Sequence, residues 1–253
     1  MGSSAAGVRR LTARSAILSV LLGAHPGEAP VSWIVRVAAG LGLQESAVRA
    51  ALTRMVAAGD LERVDATYRL SARLIDRQRR QDEAVASHRA AWDGQWRMAL
   101  VTVGADDSSD RAALREALQH MKFGEIREGV WARPRNLHTV VPAAAERRLS
   151  FFTGVPDEPP AELAERLFRP RAWADTARRL LSAFDTADTI AARLEIAAAT
   201  VRHILVDPLL PTELLPPRWP GEALRDVYAG FRTEFTAFAE ELLGTSTAEV
   251  VSG

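Results

Sequence analysis

Between Leu43 and Leu70 the spacing of apolar residues changes from helical to alternating. Val48, Leu52, Met55 and Val56 share one face at about 100° per residue, while Ser46, Arg49, Ala50, Thr53 and Arg54 cover the rest. Gly59 supplies a helix stop, and Leu61, Arg63, Tyr68 and Leu70 then alternate around a turn at Asp65-Ala66. Upstream, Thr12 to Leu22 predicts a first helix with Ile17, Leu18, Leu21 and Leu22 inward and Gly23 as its end. Pro26 and Pro30 bracket a turn, and Val31 to Leu41 predicts a second helix with Ile34, Val35, Ala38 and Leu41 inward, closed by Gly42. Helix, turn, helix and hairpin in this order predict a winged helix-turn-helix. The alternative is an ordinary amphipathic helix beside a hairpin.

Ser71 to His88 is polar and arginine-rich and predicts a solvated helical connector, from which Arg77, Arg79 or Arg80 could reach flanking phosphates. Next come a strand over Trp96 to Val103, a helix over Asp110 to Met121 with Leu114 and Leu118 inward, and two short strands from Phe123 to Pro134 around Arg127-Glu128-Gly129. Leu137 to Val141 and Arg148 to Thr153 are strand-like, leaving only Ala143 to Arg147 for a second crossover helix. That order predicts a ferredoxin-like antiparallel sheet. After the Pro156–Pro160 boundary the periodicity is helical: Ala161 to Phe168, Arg171 to Phe184 with Trp173, Ala177, Leu180, Leu181 and Phe184 on one side, and Ala187 to Ala199. A proline-punctuated loop from Asp207 to Gly221 precedes a last helix, Glu222 to Leu243, whose inner face is Leu224, Val227, Phe231, Phe235, Phe238 and Leu242. The expected fold class is α+β. Its expected parts are a winged helix-turn-helix over 8–72, a connector over 73–91, a ferredoxin-like domain over 92–156 and a helical domain over 157–253.

With 253 residues and no cysteine, the chain has room for two or three domains but none for disulfides, thiolate zinc sites or cysteine nucleophiles. No apolar run approaches the roughly 18 residues of a membrane span, and Met1 to Gly7 reads as a disordered leader without a secretion signal's apolar stretch, so a cytoplasmic protein is expected. Formal net charge is zero, yet residues 8–80 hold twelve arginines against six acids, a net +6 that leaves −6 for the remainder. A basic module on an acidic body is what phosphate attraction requires. Lys122 is the only lysine, a bias that a GC-rich genome explains.

For double-stranded DNA the candidates near base edges are Ser46, Arg49, Ala50 and Thr53, and the phosphate candidates are Arg14, Arg36, Arg54 and Arg69. Glu62 and Asp65 place acid in the wing, offset only by Arg63 and Arg69, and Gln44 is a poor N-cap, which would shift the helix start toward Ser46. A single helix spans too few base pairs for an operator, so a homodimer on a palindrome is expected. No nucleophile elbow, phosphate loop or His-Glu-x-x-His occurs, and the histidines at 25, 88, 120, 138 and 203 have no ligand spacing. No catalytic or metal residue is assigned. Asp106 and Asp107 could be magnesium carboxylates by analogy with a nuclease fold, but a loop turn is the simpler reading.

Several stretches carry a family resemblance: Thr12-Ala13-Arg14-Ser15 through Leu22-Gly23, Ala47-Val48-Arg49 with Ala51-Leu52 and Arg54-Met55, and Trp92-Asp93-Gly94 with Trp96. They continue with Phe123-Gly124, Gly129-Val130-Trp131 with Pro134, Asp207-Pro208-Leu209-Leu210-Pro211, Leu214-Leu215-Pro216 and Trp219-Pro220-Gly221. In this order, over residues 10–243, the chain resembles the PaaX family of bacterial transcriptional regulators associated with phenylacetic acid catabolism. The resemblance implies a winged-helix DNA-binding domain, a ferredoxin-like middle domain similar to CRISPR-associated small endonucleases, and a helical C-terminal domain. It also implies a dimeric repressor without a cofactor, whose operator affinity is reduced by an aryl-acyl-CoA, phenylacetyl-CoA in the founding case. Such an effector needs cations for its phosphates and an apolar slot. Arg127, Arg133 and Arg135 around Trp131, and Arg169, Arg171 and Trp173 near the domain boundary, are the candidates, against the reading that the tryptophans only pack. The alternative function is an enzyme using the same cleft, a CoA-thioester hydrolase or a metal-dependent nuclease.

Overall fold

The computed structural model describes residues 8, 10–86, 90–103 and 107–250, with the backbone alone for 245–250. The chain divides into two compact units: residues 1–86, 176–206 and 220–253 form the first, and residues 87–175 and 207–219 the second. The N-terminal and C-terminal helices thus share one unit.

In the first unit α1 (Ala13–Gly23) opens with a capping box: the Ser15 amide donates to the Thr12 hydroxyl at 3.1 Å and the Thr12 amide to the Ser15 hydroxyl at 2.8 Å. β1 (Glu28–Pro30), α2 (Val31–Gly40), α3 (Glu45–Ala57), β2 (Leu61–Val64) and β3 (Thr67–Leu70) follow, and the strands form an antiparallel sheet in the order β1-β3-β2. This is winged-helix topology. Gly59, at φ +70°, ends the recognition-type helix, and Asp65, at φ +54°, turns the wing. Ile17, Leu21, Ile34, Leu52, Met55, Leu61 and Leu70 close the core.

The buried stripes of α2 and α3 are rotated from those the sequence predicts. Val56 is exposed and Ala51 takes its place beside Leu52; Val37, three residues after Ile34, is buried where Val35 is only half-buried. At about 100° per residue both changes turn the buried arc the same way: Ala51 lies on the Met55 side of the α3 stripe and Val56 on the far side of Leu52, and Val37 stands to Ile34 as Ala51 does to Val48. The helix α3 starts at Glu45 with Gln44 as an N-cap that makes no side-chain bond, so no shift to Ser46 occurs. The Pro26–Pro30 turn contains β1, whose three residues pair with β3.

The predicted solvated connector is α4 (Ala72–Val85), and it is part of the core rather than a link. Leu74, Gln78 and Gln81 are buried. The Gln78 carboxamide donates to the carbonyls of Leu22 at 2.9 Å and Ala24 at 2.7 Å, satisfying acceptors that the end of α1 leaves open. His88 lies outside the described residues. α8 (Pro170–Thr186) enters the unit at Thr176, followed by α9 (Ile190–Leu205) and α10 (Gly221–Val250). Along α10, Leu224 and Phe231 are buried, whereas Val227, Phe235, Phe238 and Leu242 are only half-buried, so the expected inner face is incompletely covered. Gly40 lets α10 approach α2: a side chain there would meet Leu242 at 2.8 Å and Phe238 at 2.9 Å.

The second unit holds β4 (Trp96–Val101), α5 (Ser108–His120), β5 (Gly124–Arg127), β6 (Val130–Pro134), α6 (Ala143–Glu146) and β7 (Leu149–Gly154). Its sheet order, β5-β6-β4-β7, is antiparallel throughout, which is the ferredoxin-like arrangement with the short α6 as second crossover. Leu137 to Val141 does not pair as a strand, and Val140 is 90 % exposed. β-prone residues alternate there, but β4 already has β6 and β7 on its two edges. One face of the sheet packs Leu114, Leu118, Phe123 and Trp131; the other packs Trp96 and Ala132 against Leu163 and Ala164 of α7 (Pro160–Phe168) and against Leu210 and Leu214.

Replacing Gln78 with alanine leaves two helix-terminal carbonyls without a donor and is expected to lower stability by about 1–3 kcal/mol. A urea unfolding curve with an unchanged slope and a lower midpoint is the expected result.

Candidate nucleic-acid interface

The surface of α3 carries Ser46, Arg49, Ala50, Thr53 and Arg54, all exposed and on the side away from Val48, Leu52 and Met55. Glu45 in the first turn accepts from Arg49 Nε at 2.6 Å, and the Thr53 hydroxyl donates to the Arg49 carbonyl at 3.1 Å. Arg49 is therefore held along the helix by a partner that screens it only weakly, since both side chains are 57 % exposed. Arg54 has no partner among the described residues. Ala50 leaves the middle of this face low enough for close approach.

The other phosphate candidates are tied into the fold. Arg69 pairs with Glu28 across the β1–β3 ladder at 2.6 Å. Arg36 is half-buried and donates to the Leu242 carbonyl at 3.4 Å. Arg14 bonds Asp60 at 2.5 Å, and Arg73 bonds the other oxygen of the same carboxylate. Asp60 is 3 % exposed and joins α3 to the wing: its amide donates to the Met55 carbonyl at 2.9 Å, and its carbonyl accepts from the Ser71 amide at 3.0 Å. In the wing, Arg63 donates to the Asp65 carbonyl at 2.9 Å, folding its charge back over the turn. The sequence reading missed Asp60 and Arg73; a lone acid directly after a helix-stopping glycine, in an arginine-rich module, was the available signal. Arg9 lies outside the described residues.

The residues expected to hold an effector do not converge. Arg133 is 1 % exposed and donates to the carbonyls of Met121 at 2.8 Å and Pro134 at 3.0 Å and to Asn136 Oδ1 at 3.0 Å. Burial pushes its guanidinium down to about 10, so it stays cationic at neutral pH, and each of its three nitrogens donates to an acceptor inside the unit. Asn136 in turn donates to the Leu209 carbonyl at 2.9 Å, and the Leu209 amide donates to buried Asp207 at 2.8 Å. Trp131 is buried with Arg115 over its ring at 5.4 Å. Arg127 is exposed, and Arg135 pairs with Asp93, holding that carboxyl below the usual range. Trp173 stacks on Trp219 with ring centroids 4.5 Å apart. Arg171 faces Glu165 at 3.8 Å in a recess of about 370 Å³ that also contains Glu162 and Arg166, so its two arginines are matched by two carboxylates. Arg169 ends α7 with a left-handed backbone at φ +49°.

Asp107 caps α5, its side chain accepting from the Asp110 amide at 2.8 Å, which is the loop-turn reading; Asp106 lies outside the described residues. Among the described residues no three His, Asp or Glu side chains gather as metal ligands, and no helix is long and apolar enough to cross a membrane.

Known proteins share this arrangement. Sequence models for the PaaX-like protein, the PaaX protein central Cas2-like domain and the PaaX-like protein C-terminal domain match residues 12–74, 89–155 and 171–245. The chain belongs to the PaaX family. A curated relative, Transcriptional repressor PaaX of Escherichia coli (strain K12), is 27% identical over 254 residues, covering 86% of this chain and 80% of its own length. The solved structure of uncharacterized protein Rv0674 from Mycobacterium tuberculosis is similar at a TM-score of 0.78 and 46% identity, covering 92% of this chain and 99% of that one. The Cas2-like match falls on the ferredoxin-like sheet, and the boundary between the first two matches, at 74 and 89, falls on α4.

Truncating Arg133 to alanine is expected to orphan buried acceptors at about 1–3 kcal/mol each, lowering the denaturation midpoint of the chain. Substituting exposed Arg127 with alanine is expected to leave that midpoint unchanged, and parallel thermal melts of the two variants check the contrast.

Proposed function

We propose that this PaaX-family protein is a DNA-binding transcriptional regulator, a repressor that acts as a homodimer on a palindromic operator in the cytoplasm. The observation that carries the reading is the face of α3: small polar and basic side chains exposed along its first three turns, backed by a buried stripe and followed by a wing. Such a helix fits the major groove, where Arg49 can exchange its Glu45 partner for a base edge and Arg54 can meet a phosphate. The repressor name of the Escherichia coli relative supports the direction of control. Within the chain, residues 8–72 are the part assigned to DNA.

Release by an aryl-acyl-CoA, the effector class that the family resemblance implies, completes the reading.

The test is a binding titration against the upstream intergenic region of the chain's own gene at two salt concentrations, beside random DNA. Sequence-selective, salt-sensitive binding is expected, and equal affinity for both DNAs would overturn the reading. Arg49→Ala is expected to cost about 1–3 kcal/mol of operator binding and relax sequence preference, whereas Arg54→Ala should weaken operator and random DNA alike.

A further inference from the structure

The first unit contains a cleft of about 1370 Å³, walled by α1, α4, α9 and α10, with Trp33 of α2 reaching it. It exceeds the roughly 300–1,000 Å³ of ordinary small-molecule sites. Its wall divides chemically. Leu18, Trp33, Val201, Phe231 and Phe235 supply an apolar and aromatic surface, and the half-covered side of α10 described above contributes to it. The charged lining has five arginines, at 10, 14, 77, 202 and 232, against two carboxylates, Glu195 and Glu240. Glu195 is already committed to the Leu11 amide. Arg232 is committed to Asp82 at 3.2 Å, but Arg77 is half-buried with no acid or acceptor partner among the described residues. Its charged neighbours are Arg14, Arg73 and Arg80, and burial together with these like charges lowers its pKa. A half-buried cation with no acid partner among the described residues, at the wall of an aromatic cleft, is suited to an anion.

Beside it, Gln81 is buried and lines the same cleft, and its buried carboxamide oxygen accepts no hydrogen bond from the described residues. Arg14 connects the cleft to the DNA-facing helix. It belongs to the lining, yet it bonds Asp60, the buried carboxylate at the joint of α3 and the wing.

We propose that this cleft, and not the arginines and tryptophans around Trp131 and Trp173, is the effector site. It takes an amphipathic anion: an anionic end against Arg77 and Arg14, and an aromatic or acyl body against Leu18, Trp33, Phe231 and Phe235. Occupancy draws Arg14 from Asp60, loosens the joint that holds α3 to the wing, and so weakens DNA binding. What occupancy does rests on the regulator reading above; that the cleft binds such an anion does not.

Binding is measured first, by calorimetry on the full chain without DNA, using phenylacetyl-CoA, phenylacetate and free CoA as separate probes. Saturable binding of the thioester or of the carboxylate is expected, and whichever of the two binds names the source of the negative charge. Arg77→Gln is expected to weaken that binding at least about tenfold, while Arg127→Gln and Arg171→Gln leave it unchanged, with thermal melts confirming that each variant is folded. Binding of none of the probes, equal binding of free CoA and the thioester, or loss only in the Arg127 and Arg171 variants would overturn the assignment. If Arg77→Gln fails to fold, Phe235→Ala replaces it, with the same tenfold loss expected.

Coupling is measured next, as the ratio of operator dissociation constants with and without saturating probe. A ratio of about 5–150 is expected for the native chain, the usual span of coupling between sites. Arg14→Gln should bring it near one, and Arg73→Gln, which touches Asp60 from outside the cleft lining, should leave it largely intact. A full ratio in Arg14→Gln would overturn the coupling role. Failure of the regulator reading is separately visible, as absence of sequence-selective DNA binding in the probe-free protein.

Discussion

A carboxylate that leaves water must be paired, and Asp60 is the place where this constraint organises the first unit. Its side chain is almost wholly covered, yet both oxygens meet guanidinium groups, one from the start of α1 and one from the start of α4. Those groups are themselves more than half exposed, so the pair does not carry the full cost of two buried ions. Three elements are tied to one point: the end of the recognition-type helix, the first scaffold helix, and the helix that leads away from the wing. The orientation of α3 relative to its neighbours therefore depends on a charge contact as well as on the apolar stripe. Charge contacts respond to ions that apolar packing ignores.

The second unit solves the same problem differently. Arg133 is buried outright and among the described residues pairs with no acid; it donates to two carbonyls and one carboxamide. The chain of bonds from Arg133 through Asn136 to Leu209 and Asp207 ties the proline-rich loop to the sheet. A full network of neutral acceptors suits a fixed core because it offers nothing for a ligand to exchange. The two arginine environments explain why the same residue type is a structural pin in one unit and a candidate responsive group in the other.

The period of the apolar residues made most of the elements legible. The winged topology, the crossover helix α5 and the hairpin at Arg127-Glu128-Gly129 follow from spacing and turn chemistry, whereas the four-residue α6 had only the leftover stretch Ala143 to Arg147 to suggest it. What spacing could not give was the partner of each face. The connector α4 reads as solvated because its surface is charged, and nothing local reveals that Gln78 and Gln81 are buried: their packing partners lie on α1 and on helices more than a hundred residues away. The same blindness applies to the candidate effector residues, whose side chains do not converge. Clustering of arginine and tryptophan in sequence suggested a pocket, whereas the cleft gathers Arg14, Arg77 and Phe235 from three distant stretches. Ser46, Arg49, Ala50 and Thr53 were legible as an exposed face because a single helix presents them all.

The charge count of the basic module overstates what DNA can draw on. Residues 8–80 have a net charge of +6, but Arg14 and Arg73 serve Asp60, Arg69 serves Glu28, Arg36 serves the last helix and Arg63 folds over its own turn. Each phosphate contact contributes about 0.9 to the salt dependence of binding, so a module with few uncommitted cations has a shallow non-specific attraction. In the proposed regulator selectivity would then come from base contacts along α3 and from doubling the site, which is the physical argument for proposing a dimer on two half-sites. A weak electrostatic background also suits a switch: when little of the affinity is sequence-independent, a small displacement of α3 removes a large share of what remains.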